Sequence, residues 1–411
     1  MTRFSGRPHG SVTAIPSKSA AHRYMICAAL AQGRSVIRGL PGELPDDLTA
    51  TLGCIRALGA AAVFRGGALE ITGINARPDV LRLDCRDSGA TYRLLYPVAP
   101  IIAGRAEFML SQSLAARPME PVTELLKSKG VAAEKLSVSG SFGPGEFPIR
   151  GDVSSQYISG LLLALSLLEG ESRIRLTTPL QSKSYVELTR ASLALFGGES
   201  QWTGQEDTIL VKPRRLKAAD VTVEGDYTHA SLFLAAGAVY GPVTVTGLDP
   251  GSIQGDRAML SILDRMGARV DTGGGSVTVS PGRLRGIDVD VSDTPDLAPA
   301  IALAALAAEG STVVKNGGRL RFKECDRISA IATELKRLGA DIDEAPDGFT
   351  IRGGGKLHGA ACLCHNDHRI AMLLIMAAGL CGGIELNGAE CVSKSAPGFF
   401  DEYRQLGGSI S

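Results

Sequence analysis

Six apolar runs rich in small residues recur along the chain, and each begins at a Ser, Asp or Asn and ends near a Gly. They are SKSAAHRYMICAALAQG, DSGATYRLLYPVAPIIAG, SSQYISGLLLALSLLEG, DYTHASLFLAAGAVYG, DTPDLAPAIALAALAAEG and NDHRIAMLLIMAAGLCGG, and they start at Ser17, Asp87, Ser154, Asp226, Asp293 and Asn366. Ser, Asp and Asn are preferred N-cap residues, and Gly commonly follows a helix. Because the runs are apolar on all sides, they predict six buried helices.

A second series of helix ends follows the same period. Its members are CIRALGA, LLKSKGV, LALFGGE, LDRMGAR, LKRLGAD and YRQLGGS, with glycines at 59, 130, 197, 267, 339 and 407. Both series recur at a nearly constant interval of about 70 residues, and two independent features with one period indicate an internal repeat. The pattern of the second series predicts amphipathic helices that end at the glycines.

Short segments rich in Val, Ile and Thr, such as VTVEGD, PVTVTGL, SVTVSP and IDVDVS, lie between the helices and predict strands. Each repeat therefore holds two helices and several strands, which indicates an α/β fold. A chain of 411 residues is too long for one ordinary core, so two domains of three repeats each are expected.

Polar and basic residues cluster where a strand passes into each buried helix. The free N–H groups of a helix start attract anions, and Lys or Arg placed there strengthens the attraction. For a single helix, a cap and solvated charges would explain the pattern; six helices in register favour an anion-binding site. The basic candidates are Lys18, Arg23, Arg93, Arg117, Lys323, Arg327, Arg369 and Lys394, and the acidic ones are Asp226, Asp293, Asp296, Glu324 and Asp367. So many cations suggest a substrate with phosphates and carboxylates.

Composition narrows the class of protein. Lys plus Arg equals Asp plus Glu at 43 each, which disfavours a non-specific nucleic-acid or membrane-surface binder. The eight Cys lie mostly in apolar surroundings, as reduced thiols do in a cytoplasmic protein. There is no signal-peptide pattern, and the longest apolar runs, such as LAPAIALAALAA, are too short to span a bilayer. A cytoplasmic enzyme without nucleic-acid or membrane partners is expected.

Other chemistries find weaker support. The stretch CLCHNDH offers Cys362, Cys364, His365 and His368 as metal ligands, but the spacing does not match paired zinc knuckles. No Cys stands in an obvious nucleophile motif. Neither a Walker-type phosphate loop nor a Rossmann glycine fingerprint occurs.

Ten ordered motifs carry a resemblance that runs the whole length of the chain. They are SKSAAHR, DSGATYR, ARPMEP, SSQYISGLLLA, SKSY, VEGD, PDLAPAIA, RFKECDRI, NDHRIAM and SKSAPGFF. With them the sequence resembles the 5-enolpyruvylshikimate-3-phosphate synthase family. The resemblance implies two similar domains, each of three βαβαββ repeats with buried parallel helices (an inside-out α/β barrel), with the active site in the cleft between them. The expected domains are residues 17–223 and residues 1–16 plus 224–411.

The resemblance also implies a reaction. The family joins shikimate-3-phosphate to phosphoenolpyruvate and releases phosphate through a tetrahedral intermediate, as a step of aromatic amino-acid biosynthesis. Both substrates carry a phosphate and a carboxylate, in keeping with the basic candidates. No metal or organic cofactor is implied, and a monomer is expected. The phosphoenolpyruvate analogue glyphosate is an inhibitor in this family.

Residue roles are carried over from the family motifs. Asp296 matches the acceptor of the hydroxyl proton, Glu324 the carboxylate that exchanges a proton with the methylene carbon, and Lys18 a proton donor. The residues that match shikimate-3-phosphate ligands are Lys18, Ser19, Arg23, Ser154, Ser155, Gln156, Ser182, Asp296 and Lys323. Those that match phosphoenolpyruvate ligands are Lys18, Gly89, Arg117, Gln156, Arg327, Arg369 and Lys394. The supporting residues are Arg93, Tyr185, His368 and Arg319, the last standing where many relatives have Asn.

Two rivals follow from the same residues. The UDP-N-acetylglucosamine enolpyruvyl transferases resemble this fold, but they carry Lys-Asn where this chain has Lys18-Ser19. They also have a reactive Cys ahead of an Arg-Pro pair, and the corresponding stretch LSQSLAARP has none. A binding protein that had lost the chemistry is the rival from another class, and the presence of Lys18, Asp296 and Glu324 argues against it. Taken alone, Arg327 could be a surface ion pair, and Ser155 or Tyr185 a cap or core residue.

Overall fold

The computed structural model describes residues 1–76, 78–204 and 207–411, which divide into two compact units. Lys18–Val223 is called the inserted unit, and Met1–Ser17 with Glu224–Ser411 the discontinuous unit. Ser17, expected in the former, groups with the latter. Its backbone N–H donates to the Glu224 carbonyl at 2.7 Å, and its hydroxyl donates to Gln254 at 3.2 Å.

The inserted unit alternates helices and strands. Its helices are Lys18–Leu30, Asp46–Ala57, Gly89–Leu95, Ala99–Ile102, Gln112–Ala115, Glu120–Ser128, Ser155–Leu165 and Lys183–Leu195. Its strands are Arg34–Arg38, Ala61–Arg65, Ala68–Thr72, Val80–Arg86, Arg105–Leu110, Ala132–Glu134, Ser137–Ser139, Glu146–Ile149, Ser172–Leu176, Glu199–Thr203, Thr208–Lys212 and Asp220–Thr222.

The discontinuous unit has the same alternation. Its α-helices are Tyr227–Val239, Ala258–Met266, Ala298–Leu306, Arg327–Arg337, His368–Cys381 and Phe399–Gln405, and its 3₁₀ turns are Gly255–Arg257, Pro295–Leu297, Gly318–Phe322 and Ala389–Lys394. Its strands are Thr2–Ser5, Gly10–Thr13, Val243–Thr246, Arg269–Gly273, Ser276–Ser280, Asp288–Asp290, Ser311–Lys315, Asp341–Ala345, Gly348–Arg352, Ala361–Leu363, Ile384–Asn387 and Ser409–Ile410.

Among the described residues the strands form six four-stranded sheets, three in each unit. Every sheet contains one parallel pair and two antiparallel pairs. Distant segments complete three of them. Asp220–Thr222 lies parallel to Arg34–Arg38, and Gly10–Thr13 lies parallel to Val243–Thr246. Thr2–Ser5 lies antiparallel between Ile384–Asn387 and Ser409–Ile410. The α/β class and the six repeats expected from the sequence are confirmed.

The first helix of each repeat is called a central helix, and it is buried as predicted. The central helices are Lys18–Leu30, Gly89–Leu95, Ser155–Leu165, Tyr227–Val239, Ala298–Leu306 and His368–Cys381. All residues of Ala298–Leu306 are buried, and in Tyr227–Val239 only Val239 is not. Two central helices approach closely at Gly160, where a β-carbon would lie 2.5 Å from the Arg93 carbonyl oxygen. Only glycine fits at that contact.

The amphipathic helix ahead of the predicted glycine in each repeat is called an outer helix. The outer helices are Asp46–Ala57, Glu120–Ser128, Lys183–Leu195, Ala258–Met266, Arg327–Arg337 and Phe399–Gln405, and each is followed within two residues by its glycine. Gly59, Gly130, Gly197, Gly267, Gly339 and Gly407 all have positive φ, between 81° and 103°. This left-handed conformation satisfies the last carbonyl groups of a helix, and glycine adopts it without strain.

The predicted N-caps are partly right. Ser154 and Asp226 cap their helices through side-chain oxygens, while Ser88 and Asp367 do so one residue after the predicted Asp87 and Asn366. The prediction that Asp293 is an N-cap was wrong, because the helix begins only at Ala298. Pro299 occupies the second position of that helix, and proline is tolerated only in a first turn, so it fixes the later start.

Two expectations from composition can be compared with the structure. All eight cysteines are free thiols; six are buried, and Cys325 and Cys391 are partly buried. In the described part of the chain, no helix combines the length and the apolar character needed to cross a bilayer.

Candidate functional site

In the discontinuous unit, one buried arginine holds three carboxylates. Arg327 donates to Asp296 at 2.6 Å, to Glu324 at 2.8 Å and to Asp367 at 2.7 Å, and its side chain is only 2% exposed. Asp296, Glu324, Arg327 and Asp367 are called the Arg327 cluster. A lone buried arginine would be costly, so three acidic partners are what its burial requires. Arg327 is therefore not a surface ion pair.

The starts of central helices supply the cluster. Asp296 lies in the 3₁₀ turn Pro295–Leu297 just before one central helix, and Asp367 caps the next by accepting from the Arg369 N–H at 2.8 Å. The third start joins them, because the Arg369 guanidinium donates to the Thr228 carbonyl at 3.2 Å. The sequence expectation that helix starts carry the charged residues together is thus met inside this unit.

Two lysines lie at the cluster. Lys323 Nζ donates to Asp296 at 3.2 Å, and Lys394 Nζ lies 3.6 Å from Glu324. Burial lowers the pKa of Lys323, although the charge of Asp296 opposes this shift. Arg319 points a guanidinium nitrogen at the Ser292 carbonyl, 2.7 Å away.

Asp296 is held in its ionised form. Burial by itself would raise the pKa of this carboxyl, but the positive charges of Lys323, Arg327 and Arg369 outweigh burial and lower it. The pKa of Arg327 is set in a similar way. Burial alone would lower it, but the negative charges of Asp367, Glu324 and Asp296 outweigh burial and raise it. At neutral pH the cluster therefore contains a carboxylate surrounded by cations, the arrangement in which a carboxylate can bind a hydroxyl group.

Sequence reasoning missed Asp256. This residue is 2% exposed, and its carboxyl accepts a hydrogen bond from the Thr228 hydroxyl. Burial, helped by the nearby charge of Asp296, raises the pKa of Asp256 to about 7. The repeat could have revealed it, because Asp256 precedes its outer helix as Glu324 precedes Arg327–Arg337.

In the inserted unit, Lys18 at the start of the first central helix contacts Asp47 of the adjacent outer helix. The Nζ–Oδ2 distance is 2.6 Å, and Asp47 is buried. Asp47 was also missed, although it occupies the first turn of an outer helix, the same place in the repeat as the other acids. This contact gives Lys18 a fixed direction and neutralises its charge.

Around Gly89, two guanidinium groups converge. A β-carbon built on Gly89 would lie 3.3 Å from Nη1 of Arg93 and 3.4 Å from Nη1 of Arg117. Arg93 Nη1 also donates to Gln156 Oε1 at 3.0 Å, so the starts of the second and third central helices meet here. Gly89, Arg93, Arg117 and Gln156 are called the Gly89 group. Burial and then the neighbouring charge of Arg117 lower the pKa of Arg93.

Arg23 is buried, and its hydrogen-bond partners are neutral groups. It donates to the Thr189 hydroxyl at 2.7 Å, to the Ser19 carbonyl at 2.8 Å and to the Tyr185 carbonyl at 3.1 Å. Burial lowers the pKa of Arg23 to about 10, so it stays protonated at neutral pH. The Tyr185 ring lies against the guanidinium, 5.9 Å from ring centroid to Cζ.

Hydroxyl groups stand at the third central helix and the outer helix that follows it. Ser154 accepts from the Gln156 N–H at 3.3 Å, and Ser155 is buried in the first turn. Ser182 is buried and has φ of 55°, a left-handed conformation that is uncommon for serine. Such strain concentrates at functional positions and supports the interpretation of Ser182 as more than a cap.

A chain of hydrogen bonds, also unforeseen, links the first two repeats of the inserted unit. His22 Nδ1 pairs with the Thr51 hydroxyl at 2.7 Å, Thr51 pairs with Thr91 at 2.7 Å, and Thr91 donates to Ser88 at 2.7 Å. Burial, with the charges of Lys18 and Arg23, lowers the pKa of His22, so its ring is neutral. The chain fixes Ser88, the residue before Gly89.

The metal hypothesis finds no site in the described residues, which contain no group of three or more His, Cys, Asp or Glu able to hold a metal ion. The four residues of CLCHNDH are used otherwise. Cys362 is buried in the strand Ala361–Leu363, and Cys364 contacts the Gly388 carbonyl at 2.9 Å. His365 pairs with Glu334 at 2.9 Å, and His368 is buried in the first turn of its helix.

The structure thus gathers the predicted residues into a set in each unit. The discontinuous unit holds the Arg327 cluster with Lys323, Arg369 and Lys394, and the inserted unit holds Lys18, Arg23 and the Gly89 group. One set combines carboxylates, the ionised Asp296 among them, with cations, and the other combines guanidinium groups with helix starts. Each set has the chemistry to bind phosphate or carboxylate groups, and the carboxylates of the Arg327 cluster can also exchange protons.

Comparison with known sequences gives one family. Residues 3–403 match the family model described as EPSP synthase (3-phosphoshikimate 1-carboxyvinyltransferase). A 3-phosphoshikimate 1-carboxyvinyltransferase of Clostridium botulinum (strain Alaska E43 / Type E3) is 39% identical over 422 residues, covering 99% of this chain and 97% of that protein. One of Clostridium perfringens (strain ATCC 13124) is 38% identical over 411 residues, covering 98% and 96%.

Solved structures agree. An EPSP synthase from Acinetobacter baumannii superposes with a TM-score of 0.80 at 27% identity, covering 100% of this chain and 99% of that one. The enolpyruvyl transferase NikO from Streptomyces tendae gives a TM-score of 0.78 at 21% identity, covering 100% and 98%, which shows a shared fold.

Proposed function

The chain belongs to the EPSP synthase family, and we propose that it transfers the enolpyruvyl group of phosphoenolpyruvate to a hydroxyl of shikimate-3-phosphate and releases phosphate. The observation that carries the proposal is the state of Asp296, a partly buried carboxylate kept ionised by Lys323, Arg327 and Arg369. Such a group is ionised at neutral pH. The cations around it make it a weak base, so it takes the hydroxyl proton as the new C–O bond forms and the hydroxyl becomes acidic. The proposal places the enzyme in the biosynthesis of aromatic amino acids.

The proposed mechanism is addition followed by elimination. The substrate hydroxyl gives its proton to Asp296 as its oxygen bonds to the enol carbon, and the methylene carbon takes a proton from Glu324 or Lys18. As the C–O bond to phosphate breaks, the tetrahedral intermediate returns a methyl proton to the side chain that supplied it, and the departing phosphate takes the hydroxyl proton from Asp296. Lys18 and Glu324 each have a fixed partner, Asp47 at 2.6 Å and Arg327 at 2.8 Å, which orients them. Side chains alone carry these steps.

Shikimate-3-phosphate, in this proposal, is bound by the residues that match its ligands in the family. They are Lys18, Ser19, Arg23, Ser154, Ser155, Gln156, Ser182, Asp296 and Lys323, with Tyr185 and Arg319 in support. The support for this set is the ring of neutral hydrogen-bond partners around Arg23 in the inserted unit. Because these partners leave the guanidinium charge without a neutralising acid among its hydrogen-bond contacts, the charge is suited to a substrate carboxylate.

Phosphoenolpyruvate is proposed to bind Lys18, Gly89, Arg117, Gln156, Arg327, Arg369 and Lys394, with Arg93 and His368 in support. The geometry of the Gly89 group favours this assignment. Two guanidinium groups face the α-carbon of Gly89, and the absent side chain leaves room for an anion at the helix start. Glyphosate would occupy the same place. We further propose that the enzyme works as a monomer in the cytoplasm.

A direct assay tests the function. Purified protein is mixed with shikimate-3-phosphate and phosphoenolpyruvate, and released phosphate is measured together with the enolpyruvyl product by proton NMR. UDP-N-acetylglucosamine in place of shikimate-3-phosphate serves as the control substrate and is expected to give no phosphate. Thermal stabilisation by both ligands without phosphate release would instead identify a binding protein, and turnover of the control substrate would favour the rival transferase.

A further inference from the structure

Glu334 is a fully buried carboxylate outside the residues assigned so far. It lies on the outer helix Arg327–Arg337, and its side chain is 0% exposed. Oε2 accepts from the Leu363 N–H at 3.0 Å, Oε1 pairs with His365 Nε2 at 2.9 Å, and Arg337 Nε lies 3.5 Å from Oε1. A buried carboxylate is costly unless it is paired, so these contacts account for its burial.

The segment that Glu334 holds has an unusual backbone. His365 and Asn366 both have positive φ, 54° and 53°, directly before Asp367. Asparagine and histidine adopt this left-handed region more readily than most residues, but it is uncommon for any residue except glycine, and two in succession persist only where contacts impose them. The Asp367 N–H donates to the Cys364 carbonyl at 2.9 Å, which closes the turn.

This turn decides where the charged residues after it stand. Asp367 caps the helix His368–Cys381 and receives the Arg327 guanidinium, while Arg369 reaches the Thr228 carbonyl. The outer helix therefore grips the segment 363–369 at two points. Arg327, the first residue of the helix, binds Asp367. Glu334 lies about 10 Å further along the helix, given the rise per residue, and binds Leu363 and His365.

We propose that Glu334, with His365, is a positioning residue that sets the turn before Asp367 and so places Arg369 to bind phosphoenolpyruvate. This inference rests on the proposed function. Glu334 itself touches no reacting atom; it acts through the turn. The simpler alternative is that Glu334 only satisfies an N–H of the edge strand Ala361–Leu363 and contributes to stability alone. The two accounts differ in what happens to substrate binding.

The test compares three variants in the intact chain. Glu334→Ala is expected to raise the KM for phosphoenolpyruvate about tenfold, the equivalent of one buried hydrogen bond, while kcat falls less. Glu334→Gln should have a KM close to that of the wild type. Its side-chain carbonyl can still accept from the Leu363 N–H, and its amide N–H can donate to Nε2 of His365 when the imidazole carries its proton on Nδ1. Ile331→Val, on the buried face of the same helix, is the control that lowers the melting temperature without touching the turn.

A second measurement does not depend on activity. Hydrogen exchange of the segment 363–369 should quicken in Glu334→Ala and stay unchanged in Ile331→Val. His365→Phe, which removes the imidazole and leaves the Leu363 contact, should quicken exchange less and still raise the KM.

The outcomes separate the inference from the proposed function. An inactive but folded wild type would overturn the function and leave the exchange result to stand by itself. An active wild type with an unchanged phosphoenolpyruvate KM in Glu334→Ala, or equal KM changes in Glu334→Ala and Ile331→Val, would overturn the positioning role.

Discussion

Arg327 and Asp367 are joined by two hydrogen bonds: Nε lies 2.7 Å from Oδ2, and Nη2 lies 3.3 Å from Oδ1. Both side chains are buried, Asp367 fully. The pair ties the start of an outer helix to the start of the following central helix, and the third nitrogen of the guanidinium, Nη1, reaches Asp296. A single residue thus links the folding of the discontinuous unit to the electrostatics of the proposed catalytic carboxylates.

Replacing Arg327 by lysine should therefore damage both properties. The ammonium group of lysine keeps the positive charge but cannot contact three carboxylates at once, so some acids of the Arg327 cluster lose their partner. We expect Arg327→Lys to lower the free energy of unfolding by about 3 kcal/mol and kcat/KM by at least two orders of magnitude. Urea titration and steady-state assays measure the two effects. Wild-type stability in the variant would contradict the description of Arg327 as the centre of the cluster.

Asp296→Asn tests proton transfer. The amide oxygen can still accept from Arg327 or Lys323, so the fold and substrate binding should survive, but an amide cannot take the hydroxyl proton. We expect kcat to fall by roughly 10²–10⁴-fold with little change in either KM. If KM for shikimate-3-phosphate rises while kcat is retained, Asp296 serves binding and the assignment as acceptor is wrong.

Asp256 predicts a pH dependence of stability. Its pKa of about 7 in the folded protein exceeds the value of about 3.9 expected when unfolded, so the folded state binds more protons between these limits. The stability from this group is complete below about pH 4 and is lost as pH rises through 7.

Asp256→Asn, an amide at every pH, should therefore gain stability relative to wild type between pH 5 and pH 8, on the order of 2 kcal/mol. Urea unfolding at both pH values measures it. A difference between the two proteins that is the same at pH 5 and pH 8 would refute the raised pKa.

Gly89→Ala tests the Gly89 group. The added methyl would contact Nη1 of Arg93 at 3.3 Å and of Arg117 at 3.4 Å, so both guanidinium groups must shift by a few tenths of an ångström. Stability should change little, because these are the ends of flexible side chains. The phosphoenolpyruvate KM and the glyphosate concentration for half inhibition should rise, by roughly tenfold. Unaltered inhibition by glyphosate would show that this anion binds elsewhere.

Arg23→Ala should act on the other substrate. Its loss removes the charge proposed to bind the carboxylate of shikimate-3-phosphate, in the ground and transition states alike, so KM rises much more than kcat falls. Stability should also fall, by about 1–3 kcal/mol, because Thr189 and the Tyr185 carbonyl lose a donor. Thr189→Val, which removes one of these hydrogen bonds and keeps Arg23, is the control for the loss of stability. A Michaelis constant for shikimate-3-phosphate that equals wild type would exclude the role.

The sequence by itself determined the repeats. Hydrophobic period, N-cap residues and helix-ending glycines are local signals that need only a short window of the chain, so six buried and six amphipathic helices could be predicted in order. All six glycines of the outer helices indeed have the left-handed backbone. Where two local signals competed, as the capping residue Asp293 did with Pro299 in the first turn, the predicted start of the helix was wrong. The candidate list came from motifs and from a family resemblance.

Only the tertiary structure decided which charges neutralise which. Asp296 and Asp367 belong to different repeats of the sequence, yet both bind Arg327, and Lys18 and Asp47 meet across two helices. The repeat marks the places of Asp47 and Asp256 at the starts of outer helices, but no local pattern shows that they or Glu334 are buried, because a carboxylate in the first turn of a helix or on an amphipathic face is usually solvated. Burial depends on how the repeats pack, and burial together with nearby charge sets the ionisation of a carboxyl group. The protonation states that the chemistry needs are therefore a property of the packed fold.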